Sequence, residues 1–151
     1  MKEIIGEFIT DYVLSHNKDG FFRKTLIGFS SEKDERYENI KDIIGSHHLY
    51  PTDVLPSCRT LVSFFIPFTK KVVESNILED NTEVSYIWAN TYYEGNELIN
   101  DLTNRLVEYL KGFNVEGATI QATQGFDKDL LKAPWSHKSA AYIAGLGGTL
   151  Y

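Results

Sequence analysis

The chain has 151 residues, of which 42% are hydrophobic and 24% are charged, and its formal net charge is −6. This composition is typical of a globular protein and excludes a disordered chain. The negative balance, without any block of basic residues, argues against nucleic acid as a partner, because phosphate binding needs clustered Lys and Arg. The length predicts a single domain over residues 1–151.

The sequence contains one cysteine, Cys58. An intramolecular disulfide is therefore excluded, and so is an iron–sulfur cluster held by several thiolates of this chain. The first residues lack the apolar core of a signal peptide, and no window approaches the roughly 20 apolar residues that cross a membrane. We expect a cytoplasmic protein without a membrane partner.

In chain order, the first elements are a helix and a strand. Apolar residues at spacings of three and four predict an amphipathic helix over residues 2–16, and Gly20 is a candidate left-handed cap after it. Residues 25–29 are apolar and predict a buried strand. The polar segment 30–41 predicts a loop or a short helix.

The middle of the chain alternates between strands and a long helix. Prolines bracket residues 49–56 and favour an extended connector before residues 59–66, a strand that is apolar on both faces and is predicted to be central. A helical pattern covers residues 83–111, with Gly95 marking a kink or a close approach. Residues 118–123 predict a further strand. This alternation predicts an α/β or α+β fold, a mixed central sheet flanked by helices.

The last predicted element is a short helix that begins at Pro134, contains mostly small residues and ends at Gly145. Its small side chains allow another surface to approach the backbone closely: a packed strand, a cofactor or another domain. The following Gly145-Leu146-Gly147-Gly148 comes after a helix, whereas a phosphate-binding glycine loop precedes one. A helix-terminating turn is therefore the favoured interpretation.

Three histidines, His47, His48 and His137, are candidates for a ligand site. No carboxylate or cysteine spacing supports zinc binding by them, so we predict no metal site and favour contact with an anionic or cofactor edge. Ser136 and His137 are adjacent and do not form a nucleophile–base pair by adjacency alone. No catalytic residue is predicted.

Two further groups have a structural and a functional interpretation. Asp127 and Asp129 precede the last helix, where they are expected to satisfy its N-terminal amides rather than to act as acids. Trp88, Tyr92 and Trp135 are able to stack on a planar ligand, but helical spacing alone explains the first two as core residues.

Residues 133–147, Ala-Pro-Trp-Ser-His-Lys-Ser-Ala-Ala-Tyr-Ile-Ala-Gly-Leu-Gly, resemble the epoxyqueuosine reductase-like family of iron–sulfur, cobalamin-dependent proteins. Residues 45–56, Gly-Ser-His-His-Leu-Tyr-Pro-Thr-Asp-Val-Leu-Pro, resemble the family's histidine-proline-leucine-proline segment, and residues 59–66 resemble the strand that follows it. The order and spacing of these motifs agree over residues 1–147.

The resemblance implies a nitroreductase-like, cobalamin-binding domain with an oxidoreductase role. Cobalamin is the implied cofactor, and flavin is a less favoured alternative. The cofactor-facing residues implied by the matching motifs are His47, His48, Trp135, Ser136, His137, Lys138, Gly145 and Gly147.

The chain departs from the family pattern in two ways. The cysteine-rich, ferredoxin-like domain that follows in complete members is absent, so the resemblance implies a truncated or split redox domain that holds no iron–sulfur cluster and receives electrons from a separate ferredoxin-like partner. Leu131 stands where the tRNA-modifying reductases place a proton-donating aspartate, and leucine cannot donate a proton. The resemblance therefore does not extend to epoxyqueuosine reduction.

The alternative interpretation is a non-catalytic interaction module that has lost the cofactor. Without a following domain, the face of the last helix formed by Ala140, Ala141 and Ala144 is expected to be exposed or covered by a partner. An exposed apolar patch favours association, so we expect a homodimer or a docking partner, and the non-catalytic interpretation predicts a dimer with an apolar interface over residues 133–147.

Overall fold

The computed structural model of the chain describes residues 1–77, 83–121 and 133–147. Within these ranges the fold is a mixed α/β arrangement of helices and a small antiparallel sheet. The elements in chain order are α1 (Lys2–His16), β1 (Leu26–Ser31), α2 (Arg36–Ile44), α3 (Pro51–Val54), β2 (Thr60–Phe65), α4 (Lys70–Ser75), α5 (Tyr86–Lys111) and α6 (His137–Ile143).

The sheet of the described residues consists of β1 and β2, which pair antiparallel with Leu26 opposite Phe65 and Ser31 opposite Thr60. Both strands were predicted, but β2 was expected to lie between two others. Residues 118–121 are not a strand, and residues 122 and 123 lie outside the described ranges. The apolar side chains of β2 from Leu61 to Phe64 are half-buried, and α6 packs against this strand.

The chain divides into two compact units, and the first consists of Met1–Thr25 and Ile66–Leu106. The prediction of α1 is confirmed: Ile5, Ile9 and Val13 line one face of the helix and are buried. Fully buried side chains from three other positions complete the core of this unit, namely Val72, Thr91 and Leu102. The sequence pattern assigns no element between residues 66 and 83, where the structure has α4.

Helix α5 is helical throughout Tyr86–Lys111, which confirms the long predicted helix apart from its first three residues. Gly95 lies in this helix and is buried against an aromatic ring. A Cβ atom built at Gly95 would lie 3.5 Å from Cε1 of Phe22. This is an ordinary van der Waals distance, so the packing around Gly95 does not require a glycine, and the predicted close approach is not seen at this position.

The second unit consists of Leu26–Phe65 and the chain from Val107 onward. Its core is a cluster of Tyr37, Trp135, Ala140 and Ile143. Half-buried aliphatic and aromatic side chains surround this cluster: Ile40, Leu49, Tyr50, Leu61 and Ile120. The core of this unit is therefore built from α2, α6 and the segments beside them.

The connector over residues 49–56 is only partly extended. Tyr50 and Leu55, which each precede a proline, have the expected extended backbone, with ψ of 158° and 105°. Between them the chain forms the single helical turn α3, which Pro51 begins, since its fixed φ suits the first helical position.

None of the helices in residues 1–77, 83–121 and 133–147 combines the length and the apolar character that a membrane crossing requires.

Candidate functional site

The two segments that carry the resemblance, one around His48 and one around Trp135, lie against each other. The backbone N–H of Leu49 donates to the carbonyl oxygen of Pro134 at 2.8 Å. The backbone N–H of Ser136 donates to Nε2 of His48 at 3.0 Å, although the two residues are 88 positions apart. Folding therefore brings together residues that the sequence placed in separate motifs.

His48 is almost completely buried, with 2% of its surface exposed. Its ring stacks on that of Trp135, with centroids 5.5 Å apart and planes inclined by 22°. Burial lowers the pKa of His48; a backbone hydrogen bond at Leu49 opposes this shift, and the electrostatic effect of the neighbouring His47 and Lys41 adds to it. Because Nε2 accepts a hydrogen bond, the neutral ring carries its proton on Nδ1. His48 thus acts as a neutral acceptor that fixes the start of α6.

Trp135 belongs to the core cluster of the second unit. It is 9% exposed, and its ring stacks on Tyr37 as well as on His48, with a centroid distance of 6.4 Å to Tyr37. Little of the indole surface is left for a ligand. Tyr37 lies in the segment that the polar pattern predicts as a loop or short helix. The three-residue spacing of Tyr37 and Ile40 was the available signal that this segment has a buried helical face.

Helix α6 begins at His137, three residues after the proline expected to open it. Ser136 is its N-cap: the Oγ atom accepts the backbone N–H of Ser139 at 3.2 Å, which satisfies one of the unpaired amides at the helix start. The same Oγ donates to the hydroxyl of Ser139 at 2.8 Å. His48 contacts Ser136 through the backbone and not through Oγ, so this contact supplies no general base to the hydroxyl.

The C-terminal end of α6 is a helix-terminating turn, as predicted. Gly145 has a φ of 81°, which a glycine adopts readily, and its N–H donates to the carbonyl of Tyr142 at 3.0 Å. The N–H of Leu146 donates to the carbonyl of Ala141 at 3.0 Å. This pair of bonds is the Schellman arrangement that satisfies the last carbonyls of a helix. Gly147, with a φ of 146°, continues the turn.

The small residues of α6 allow a strand to approach closely. A Cβ atom built on Gly28 of β1 would lie 2.4 Å from the carbonyl oxygen of Ala144 and 2.9 Å from its Cβ. Of the surfaces proposed for this helix, the structure therefore shows a packed strand. The signal for it was the glycine within an apolar strand, which marks a close backbone approach.

The expectation that the alanine face of α6 is exposed is wrong for Ala140. That residue is 4% exposed and packs in the core cluster, while Ala141 and Ala144 are half-buried. The exposed large hydrophobic side chain of α6 is Tyr142. The reason is the packing of α2 and β2 against the helix within the same unit.

The remaining predicted residues lie nearer to solvent. His47 is half-buried, whereas His137 and Lys138 are exposed in the first turn of α6. Nε2 of His137 lies 3.2 Å from the carbonyl oxygen of Gln121. Together with the exposed Gly145 and Gly147, these residues present imidazole, ammonium and backbone groups at the surface of the second unit.

In the part of the chain that the structure describes, no group of three or more His, Cys, Asp or Glu side chains is placed to hold a metal ion. No family model, curated protein or solved structure matches the chain. Leu131, Asp127 and Asp129, which the sequence analysis singled out, lie outside the described residues.

Proposed function

We propose that the chain is a redox domain that resembles the cobalamin-binding part of epoxyqueuosine reductase-like iron–sulfur proteins, with a nitroreductase-like fold. The observation that carries the proposal is the hydrogen bond from Ser136 to His48. This bond joins the two motifs that resemble the family. Two motifs can contact the same cofactor only if the fold places them next to each other.

The described residues suit the periphery of a cofactor better than a metal ligation site. Nε2 of His48 is already an acceptor, and the rings of His48 and Trp135 cover each other. These two residues would position the site. The groups that would contact the cofactor are His47, His137 and Lys138, with Gly145 and Gly147 admitting a close backbone approach.

When bound, a corrinoid supplies the electron-transfer chemistry, which protein side chains do not provide. The chain would contribute binding and orientation. Its single cysteine, Cys58, is buried, and burial raises the pKa of the thiol, so this residue is a poor ligand for an electron-transfer cluster. We propose a ferredoxin-like electron donor as the source of the electrons.

The test is an absorbance spectrum of the purified chain incubated with cobalamin, and separately with flavin, followed by desalting. A retained chromophore with a shifted spectrum is expected. Replacing His137 and Lys138 by alanine should abolish retention, because both lie in the exposed first turn of α6. The Lys70→Ala variant, which removes an exposed lysine from α4, is the control and should retain it. Absence of any shift at tens of micromolar cofactor would contradict the proposal.

A second candidate function is a non-catalytic, dimerising module. The mutual burial of His48 and Trp135 favours it, since the two stacked rings leave little of their surface for a ligand. It predicts a homodimer through the outer face of α6, where Ala141 is half-buried and Tyr142 is exposed. Light scattering should then show a dimer that Ala141→Asp dissociates, whereas Ala89→Asp on α5 leaves it intact. Equal masses for wild type and Ala141→Asp would exclude this interface.

A further inference from the structure

A cavity of about 320 Å³ lies in the first unit, and none of the residues of the proposed cofactor site lines it. The C-terminal half of α1 forms one wall, and residues 22–25, which follow the helix, form the other. Val13, Leu14 and Phe22 give it an apolar lining. We call it the α1 cavity. Its size is at the lower end of the range of small-molecule sites, which are mostly apolar.

The wall opposite α1 is held in place by hydrogen bonds rather than by a ligand. The side chain of Asn17 bonds the backbone of Phe22 twice: Nδ2 donates to its carbonyl at 2.8 Å, and Oδ1 accepts its N–H at 3.0 Å. The N–H of Arg23 donates to the carbonyl of Pro67 at 2.7 Å. The polar groups of Asn17 are thereby engaged locally, and the cavity is preformed.

Leu14 is a large apolar residue that lines this cavity and is nevertheless 63% exposed. Its neighbour Val13 is buried, so the apolar lining of the cavity extends from a buried residue to a solvent-exposed one. An apolar body that entered the cavity would cover Leu14, which the chain's own described residues leave open.

Two adjacent cations, Arg23 and Lys24, also line the α1 cavity, and both are exposed. Neither forms an ion pair within residues 1–77, 83–121 and 133–147. No carboxylate is among the lining residues. In a chain with a formal net charge of −6, this is a local positive edge on an apolar cavity. Its charge complements a single anionic group.

We propose that the α1 cavity binds a small amphipathic carboxylate, with the apolar body against Val13, Leu14 and Phe22 and the carboxylate at Arg23 and Lys24. At about 30 Å³ for each water-sized group, the volume admits roughly ten heavy atoms. An eight-carbon fatty acid has this size. This inference does not depend on the proposed redox function.

The test is a titration of the full chain with octanoate, followed by amide chemical shifts in two-dimensional NMR and by calorimetry. Saturable shifts confined to residues 10–25 are expected. Octanol has the same apolar body without the charge and should bind about three- to tenfold more weakly, the range that one or two exposed charge contacts provide. Absence of saturation with octanoate, or equal affinity for octanol, would overturn the proposal.

Two variants test the assignment of the residues. Replacing Arg23 and Lys24 together by glutamine should weaken octanoate binding by about three- to tenfold and leave octanol binding unchanged. The matched control replaces Lys70 and Lys71, an adjacent exposed pair on α4, by glutamine. It should change the affinity for neither octanoate nor octanol.

Leu14→Asp places a like charge in the cavity at an exposed position and should abolish octanoate binding, whereas Val73→Asp, at an exposed position of α4, should not. Far-UV circular dichroism confirms that both variants are folded. Octanoate binding that survives both Leu14→Asp and the loss of the two cations would place the ligand elsewhere and overturn the proposal.

Discussion

The Nε2 atom of His48 accepts the backbone N–H of Ser136 at 3.0 Å, and this bond needs a neutral imidazole ring. The folded state holds the pKa of His48 below its ordinary value, chiefly through burial. Stability should therefore be constant above about pH 6.5, where both states are neutral, and should fall below it as the unfolded chain binds the extra proton. The decline is up to about 1.4 kcal/mol per pH unit for one group and ends below the folded-state pKa. Urea unfolding at stepped pH measures it.

The His48→Gln variant separates this effect from general acid destabilisation. Glutamine keeps an acceptor oxygen for the Ser136 N–H but does not titrate, so the decline between neutral and mildly acidic pH should become shallower. An identical pH dependence in wild type and His48→Gln would show that His48 is not responsible.

Replacing Gly28 by alanine should lower the stability of the protein, whereas replacing Gly6 by alanine should raise it. At Gly28 the new Cβ would lie 2.4 Å from the backbone oxygen of Ala144, so β1 and α6 must separate, and we expect a loss of about 1–3 kcal/mol. At Gly6, within α1, nothing lies within 4 Å of the new Cβ, and the better helix propensity should stabilise by about 0.5–1 kcal/mol. Denaturant midpoints of the two variants check both signs, and a neutral Gly28→Ala would refute the close approach.

The spacing of apolar residues predicted helices well where a regular spacing extended over many residues. The helix over residues 2–16 and the long helix ending at residue 111 follow from apolar spacing alone, since their buried faces are regular. Residues 118–121 have strand-like composition but form no strand, because Ile120 instead packs on the core cluster. Composition does not distinguish these two uses of an isoleucine.

Substitutions of Ser30 and Tyr37, whose buried hydroxyl groups contact each other, should have non-additive effects on stability. The two oxygens lie 2.8 Å apart, and both residues are buried. Removing either hydroxyl, by Ser30→Ala or Tyr37→Phe, leaves the other without this partner and should cost about 1–2 kcal/mol. The double variant should cost about 1 kcal/mol less than the sum, since no orphaned group remains. A double-mutant cycle in urea measures the coupling, and additive losses would contradict it.

Gly95→Ala should stabilise the first unit. The added Cβ would lie 3.5 Å from the ring of Phe22, an ordinary van der Waals distance, and would remove a glycine from the interior of α5. The expected gain is about 1 kcal/mol, the difference in helix propensity. Thermal unfolding of the variant is the measurement. A lower melting temperature would mean that the contact with Phe22 does not tolerate a methyl group.

The residues of the candidate site were identified from the resemblance, but their roles required the fold. Sequence placed His48 and Trp135 among ligand-facing residues, and the structure gives them 2% and 9% exposure. Nothing in the separate motifs indicates that Ser136 would donate its backbone N–H to His48, because the contact joins positions 88 apart. The α1 cavity could not be predicted from the sequence for the same reason. In the sequence alone Leu14 is an ordinary surface leucine, and only the fold shows that Leu14 and Phe22 line the same cavity.

The division into units has a consequence for synthesis on the ribosome. The chain passes between the two units three times, at residues 25–26, 65–66 and 106–107, so neither unit is contiguous in sequence. A nascent chain cannot complete the first unit before Leu106 has left the exit tunnel, and by then it already carries residues 26–65 as an inserted segment. The antiparallel pair of β1 and β2 can form once residue 65 is made, whereas α6, which packs against β2, is made only later. The order of translation thus delays the long-range contacts of this unit, and long-range contacts slow folding.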